Sequence, residues 1–260
     1  MFPGVALVTG AASGIGQATA VSFAKEGCSQ IVIADRNGNG LSETHSRVQE
    51  AAPNCSVLSV QTDVSDQESV QALINKAVET FGRLDYVCNS AGNGAYETKK
   101  TAGTLSNNER SHETSLEEFD RINNINYRGC WLCSRAEIQQ ILKQVPLPTH
   151  DGRPGNRGSV VNIASQLGIV GRPAALFQGQ YPGQLCLSVS VFPYHVHPFA
   201  KLIIDFCSGV IETPMTTPNM DVLGPAISIA PMNRPGTAQV RATMLVGVIS
   251  RSEKLTWRPF

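Results

Sequence analysis

The chain is 260 residues long, enough for one α/β domain with a large buried core, and its 21 Lys and Arg are balanced by 21 Asp and Glu. With no charge excess there is nothing to draw in nucleic acid or an anionic membrane surface, so the expected partners are a small-molecule substrate and a like subunit. Seven cysteines from Cys28 to Cys207 are an odd number without a disulfide framework, and with no secretory leader at the N-terminus they point to a reducing, cytoplasmic setting.

The apolar run Val5-Ala6-Leu7-Val8 ends at Thr9-Gly10-Ala11-Ala12-Ser13-Gly14-Ile15-Gly16, and a helical pattern follows at once. Strand, glycine loop and helix in that order make an anion cradle. Gly10 can take a positive φ for the sharp turn, Gly14 lets backbone approach a ligand, and Gly16 leaves room for the helix to pack on the strand. The N–H groups of the helix start, at Ser13 and Ile15, favour a pyrophosphate. Gly27 is placed as a helix C-cap, and Ile31-Val32-Ile33-Ala34 reads as a second strand ending at Asp35, 19 residues past Gly16. A carboxylate there accepts hydrogen bonds from an adenosine ribose and repels a 2′-phosphate, which favours NAD. Arg36 beside it keeps NADP open, since a guanidinium binds that phosphate.

Ser56 to Gln61 alternates as a third strand and leads into Asp63-Val64, a loop expected near the adenine. Ser65 to Glu68 has the form of a capping box, and Val70, Leu73, Ile74, Ala77, Val78 and Phe81 recur at helical spacing up to Gly82. Leu84 to Cys88 is the fourth strand. Asn89-Ser90-Ala91-Gly92 follows as a loop of small residues where backbone can approach a cofactor. The polar stretch from Asn93 to Thr114 reads as a long surface loop. Ser115 to Glu118 forms a second capping box, opening a long helix with Phe119, Ile122, Asn126, Gly129, Cys133 and Ala136 on one stripe. Asn126 on that apolar face requires a bonding partner and is structural or functional. Cys130 and Cys133 form a CxxC on the same face without a second pair, so buried thiols are expected there and no metal site. After a Pro/Gly loop from Leu147 to Arg157, Ser159 to Ala164 is the fifth strand, ending at Ser165.

Strands alternating with helices imply a doubly wound parallel sheet, Rossmann-like, in a single domain. Ligands then bind outside the carboxyl ends of the strands.

The motifs Thr9-Gly10 with Gly14 and Gly16, Asp35, Asp63-Val64, Asn89-Ser90-Ala91-Gly92, Asn126 and Asn162-Ile163-Ala164-Ser165, in that order, resemble the short-chain dehydrogenase/reductase family. Gly209-Val210-Ile211-Glu212-Thr213-Pro214 looks like that family's loop after the sixth strand, which brings Ile211 and Thr213 to the cofactor. The wording around Val161 to Pro173 and Gly209 to Asn219 is most similar to fungal members in secondary-metabolite pathways. The resemblance implies hydride transfer between a nicotinamide and a hydroxyl or carbonyl carbon. It also implies a homo-oligomer, a dimer or tetramer. By resemblance Ser165 holds the substrate oxygen and Asn126 anchors a water in a proton relay, beside a Tyr that exchanges the substrate proton and a Lys four residues later that lowers the Tyr pKa.

The Tyr and Lys are where the chain departs. The expected Tyr position is occupied by Gln178; the nearest tyrosine, Tyr181, is followed four residues later by Leu185, and no Tyr-x-x-x-Lys exists between Ala175 and Gly209. Tyr181 is the candidate acid/base that remains. Pro182, Pro193 and Pro198 break the helix expected there, and the same prolines rule against reading the uncharged stretch from Leu176 to Ala200 as a membrane span. The residues after Gln239 also leave the family's pattern. Foreign content of normal length between good matches fits a shift of reading frame between the codons for Ala175 and Gly209.

Overall fold

The computed structural model describes residues 2–93, 115–148, 157–165, 203–217 and 234–251, with isolated positions between 220 and 228. Six strands form its sheet: β1 (Val5–Thr9), β2 (Gln30–Asp35), β3 (Ser56–Gln61), β4 (Tyr86–Asn89), β5 (Ser159–Ser165) and β6 (Ile203–Ser208). Their order is β3-β2-β1-β4-β5-β6, and every neighbouring pair is parallel. This is the doubly wound sheet expected, with the strand order reversing between β1 and β4.

The period of two along each strand divides the core between two faces. Ala6 and Val8 of β1, Ile31 and Ile33 of β2, Tyr86 and Cys88 of β4 and Val161 of β5 point one way. There they meet Ala20 and Phe23 of α1 (Gly14–Lys25), Leu41 and Val48 of α2 (Gly38–Ala51), and Leu245, Val246 and Ile249 of α6 (Ala238–Arg251). Val5, Leu7, Val32, Ala34, Val87 and Val160 point the other way. These pack on Val70, Leu73, Ile74 and Ala77 of α3 (Gln67–Phe81) and on Leu132, Cys133, Ala136 and Ile141 of α5 (Cys130–Ile141). The start of β1 is pinned by a buried carboxylate: the Val5 N–H donates to Asp85 Oδ2 at 2.9 Å, and Arg83 pairs with Asp85 at 2.7 Å. Phe2 closes that end edge-on to Phe23 and Tyr86, with ring centroids 5.3 and 4.9 Å apart.

Several elements differ from the sequence reading. The N-cap of α3 is Asp66, whose carboxylate accepts from the N–H groups of Glu68 and Ser69. The Ser65 hydroxyl is engaged instead by Asp63 Oδ1 at 2.6 Å, so the capping box drawn from Ser65 is displaced by one residue. Ser115 does cap α4 (Leu116–Ile122), but Glu118 turns to Arg121 at 2.7 Å. The long helix is not one regular stripe: a π-helical stretch, Asn123–Gly129, separates α4 from α5. The extra residue per turn rotates what precedes it, and Phe119 is 38 % exposed. α2 carries glycines at 38 and 40 in its first turn and escapes recognition by pattern; Asn37 caps it, accepting from the Gly40 N–H.

β6 stands in register beside β5 from Val160↔Ile203 to Ser165↔Ser208, so the parallel sheet continues directly after the proline-rich stretch. The residues from Gln239 to Arg251 belong to α6, which lies against α1, with Gln239 Nε2 donating to Ser22 Oγ at 2.9 Å. A two-stranded parallel pair, β7 (Ile211–Glu212) and β8 (Gly236–Thr237), links the loop after β6 to the start of α6. Tyr181, the polar loop between 94 and 114, the prolines between 182 and 198 and the last nine residues lie outside the described residues. No helix among the described residues is long and apolar enough to cross a membrane.

Candidate active site

The carboxyl ends of β1, β2, β4 and β5 bring most of the sequence-predicted site residues to one edge of the sheet. After β1 the backbone turns sharply at Gly10, with φ of 67°. A Cβ there would stand 2.6 Å from the Ala91 N, so the loops after β1 and β4 touch at this point. A Cβ on Gly16 would stand 2.1 Å from the Gly10 carbonyl oxygen, an approach that only glycine permits. Gly14, with φ of 56°, faces Thr213, whose Cγ2 would lie 3.2 Å from an added Cβ; the loop after β6 thus crosses the start of α1. Ser13 is the N-cap of α1 and its exposed side chain makes no capping hydrogen bond, which leaves the first-turn N–H groups of the helix to another acceptor. Ile15 is half-buried against the core beside them.

Asp35 ends β2. Its Oδ2 accepts from the Ala12 N–H at 3.1 Å and its Oδ1 from the Asn37 N–H at 2.9 Å. The carboxylate therefore holds the glycine loop against the end of β2, and lone pairs remain on both oxygens for hydroxyl donors. Arg36 is exposed beside it. Asp63 is engaged by Ser65, and Val64 is buried beside Gly129, where a Cβ would be 3.0 Å from Val64 Cγ2. These residues fit a dinucleotide: a glycine cradle that side chains would fill, uncapped helix N–H groups for a pyrophosphate, and a partly exposed carboxylate at the end of the second strand.

Two of the predicted residues turn inward. The Thr9 hydroxyl is buried, donating to Asn89 Oδ1 at 3.2 Å and accepting from the Ala91 N–H at 3.4 Å. Asn89 Nδ2 donates to Glu137 Oε2 at 2.9 Å and to Asn162 Oδ1 at 3.1 Å. Thr9 and Asn89 thus tie the two loops together beneath the backbone of Gly10 and Ala91. Asn126 sits in the π-helical stretch and reads the backbone of Asn93 with both ends of its amide: Oδ1 accepts from the Asn93 N–H and Nδ2 donates to the Asn93 carbonyl, each at 2.8 Å. The partner required by an Asn on that face is therefore the loop after β4. Gly92 lies alongside, 3.4 Å from Asn126 Oδ1 when a Cβ is added.

Ser165 ends β5 at the same edge, paired through its backbone with Ser208. Ile211 is buried in β7, and the Thr213 N–H donates to Thr216 Oγ1 at 3.0 Å, a turn that holds the loop in place. Glu137, Ser134 and Asn93 were not singled out in sequence. Glu137 did leave a signal there, as a carboxylate four residues past Cys133 on an apolar helical face. It is fully buried, and burial pushes its carboxyl up to about 8 against the lowering effect of the Asn89 hydrogen bond. Cys130 and Cys133 are buried thiols, not joined in a disulfide, and burial raises the Cys133 thiol well above its usual range.

A family model described as short chain dehydrogenase matches residues 4–177. A short-chain dehydrogenase of Neurospora crassa is 32% identical over 226 residues, covering 84% of this chain and 78% of that protein. Levodione reductase of Leifsonia aquatica is 30% identical over 257 residues, 95% of this chain and 87% of its own. The crystal structure of levodione reductase superposes with a TM-score of 0.76 at 28% identity, over 96% of this chain and 92% of that one.

Proposed function

The chain belongs to the short-chain dehydrogenase family, oxidoreductases that move a hydride between a nicotinamide cofactor and a hydroxyl or ketone carbon, and from that premise we propose that it binds NAD in preference to NADP and acts on a small apolar metabolite. The observation that carries this reading is the glycine cradle at the β1/β4 reversal with Asp35 at the end of β2. In this reading Gly10, Ser13, Gly14, Ile15 and Gly16 hold the pyrophosphate. Asp35 takes the adenosine ribose with Arg36 outside it, and Asp63 and Val64 flank the adenine. Ala91 and Gly92, with Ile211 and Thr213 opposite, border the nicotinamide, while Thr9 and Asn89 fix those loops. Fungal secondary metabolism is the setting we favour, on the wording of the segments after β5 and β6 and the likeness to the Neurospora protein. A cytoplasmic homo-oligomer is the proposed form.

The bound nicotinamide supplies a carbon that accepts or gives up a hydride. For the protein, the remaining task is to bind the substrate oxygen and move its proton. Ser165 is the proposed holder of that oxygen. Tyr181 is the proposed acid/base, and Asn126, clamped to the Asn93 backbone, steadies the loop beside the reacting carbon. A phenol with a pKa of about 10 is a poor base at neutral pH without a neighbouring cation. Leu185 stands where a Lys four residues after Tyr181 would supply one.

That departure supports a second reading, a nucleotide-binding homologue without turnover, acting through a like subunit. Fluorescence titration with NADH and NADPH, followed by substrate-dependent oxidation, separates the two. The first reading expects NADH to bind more tightly than NADPH, Asp35→Ala to weaken NADH by about tenfold, and a ketone substrate to be reduced. Binding without turnover on any ketone or alcohol supports the second, and no binding of either nucleotide overturns both. Sequencing the transcript between the codons for Ala175 and Gly209 tests the frame-shift reading: another frame restoring a Tyr and a Lys four apart would return the usual catalytic pair, and the present frame would remove that explanation.

A further inference from the structure

Beneath the candidate cofactor loops, Thr9 and Asn89 belong to a buried polar cluster whose other members, Ser134, Glu137 and Asn162, have no role above. It draws five residues from four elements: Thr9 from β1, Asn89 from β4, Asn162 from β5, and Ser134 and Glu137 from successive turns of α5. All five side chains are at least nine-tenths buried. Their hydrogen bonds run in one direction. The Ala91 N–H donates to Thr9 Oγ1, Thr9 donates to Asn89 Oδ1, and Asn89 Nδ2 donates to Glu137 Oε2. Ser134 and Asn89 both donate to Asn162 Oδ1, which fixes the orientation of the Asn162 amide as well. Asn89 Nδ2 has Glu137 Oε2 at 2.9 Å, Asn162 Oδ1 at 3.1 Å and Ser134 Oγ at 3.4 Å as acceptors, so the orientation of the Asn89 amide, and through it the Thr9 hydroxyl, rests on a set in which the Glu137 carboxyl makes the shortest contact.

We infer that Glu137 is a positioning residue for dinucleotide binding: through Asn89 and Thr9 it locks the loop after β4 to the loop after β1, at the point where Gly10 and Ala91 meet. The inference rests on the reading of those loops as the cofactor cradle. An apolar side chain at this position would remove the shortest acceptor of Asn89 Nδ2 and leave its two N–H groups to Asn162 Oδ1 and the longer contact to Ser134, loosening the amide in a dry site.

The chemistry around Glu137 decides which form of it does this. Glu137 Oε1 and Asn162 Nδ2 have no hydrogen-bond partner, and among the described residues no Lys, Arg or His forms an ion pair with Glu137. The titratable groups facing it are Cys88 of β4 and Cys133 of α5, both raised by burial and both neutral thiols at physiological pH. Among the described residues no cation pairs with a negative charge there. The neutral acid is therefore the form that holds the cluster together, and ionisation introduces an unpaired charge that the cluster relieves by opening.

The test compares the full chain with Glu137→Gln, which keeps an acceptor without a charge, and Glu137→Leu, which removes it. Hydrogen exchange read by mass spectrometry on the protein without nucleotide reports the loops directly. Glu137→Leu is expected to speed exchange about tenfold in peptides covering Thr9–Ala12 and Asn89–Gly92, with Glu137→Gln within about twofold of the parent. NADH titrations from about pH 6 to about pH 9 are expected to show the parent dissociation constant rising through a midpoint near 8 and Glu137→Gln flat across the range. Unchanged exchange in both loops of Glu137→Leu, or a pH profile that survives in Glu137→Gln, overturns the inference. If Glu137→Leu does not fold, the pH dependence of loop exchange in the parent against Glu137→Gln decides. A parent that binds no NADH sinks the cofactor reading alone, and the exchange measurement still decides the role of Glu137.

Discussion

Glu137 also has a consequence for stability, and its sign follows from proton counting. The folded chain holds the Glu137 proton up to about 8, whereas the unfolded chain releases it near the ordinary value of 4.5. Between those limits the folded state binds more protons, so the contribution of Glu137 to stability is fully present below pH 4.5 and is lost as pH rises to about 8. The expected slope within the window is about 1.4 kcal/mol per pH unit for a full proton of difference. Denaturant unfolding of the parent and of Glu137→Gln across this window should give curves that diverge with rising pH in favour of the Gln variant; parallel curves would mean that the carboxyl is ionised in the folded protein. Gly16 is the second residue on which much depends. Because an added Cβ would fall 2.1 Å from the Gly10 carbonyl oxygen, Gly16→Ala must push the helix start off the strand. The expected result is loss of NADH binding together with about 2 kcal/mol of stability, measured by the same titration and by denaturant unfolding.

The two helix starts show how local chemistry decides between neighbouring candidates. Ser65 and Asp66 both stand at the turn before α3, and the sequence rule for capping boxes selects Ser65. The carboxylate at Asp66 reaches two N–H groups at once, and the Ser65 hydroxyl is held by Asp63, so the helix begins one residue later. Asp66→Ala is accordingly expected to lower stability by about 1 kcal/mol and Ser65→Ala by less than about 0.5 kcal/mol; the reverse ranking in thermal unfolding would restore the Ser65 cap. The π-helical stretch from Asn123 to Gly129 has a similar origin. Asn126 must bring its amide to both backbone groups of Asn93, and the wider turn lets it do so while Gly129 stays against Val64. Helical spacing alone predicts a regular stripe, because periodicity carries no information about a side chain that bonds to a loop more than thirty positions away. α2 and α6 were missed for another reason. Glycines open the first, and the second buries Ala242, Leu245, Val246 and Ile249 within a sequence that has left the family's pattern.

Taken across the chain, what was legible in sequence was the part fixed by short-range chemistry. The glycine loop, the alternating strands and Asp35 at its distance from Gly16 are local signals that suffice to place a cofactor edge on a parallel sheet. Hidden were the contacts that depend on three-dimensional neighbours: the inward turn of Thr9 and Asn89, their reliance on Glu137, and the meeting of Gly14 with Thr213 across 199 positions. Subunit association belongs to the same class, since it depends on which apolar side chains the fold leaves outside. Trp131 and Leu142 of the α5 side are 40% and 38% exposed, and Val145 just beyond is 78% exposed. Trp131 and Ile138 are seven residues apart on α5, Leu142 caps its end and Val145 follows in the turn beyond it, and Arg135 covers the Trp131 ring from 5.8 Å without burying it. Exposed apolar side chains beside a helix otherwise built into the core are the place where the proposed association with a like subunit would bury area. Sedimentation of the protein at micromolar concentration should therefore give a dimer or tetramer, and Trp131→Arg should shift it toward monomer by about tenfold in dissociation constant while leaving the unfolding midpoint of the isolated subunit unchanged. A parent that sediments as a monomer would assign those side chains to something other than self-association, and an oligomer indifferent to Trp131→Arg would move the interface to a different face of the molecule.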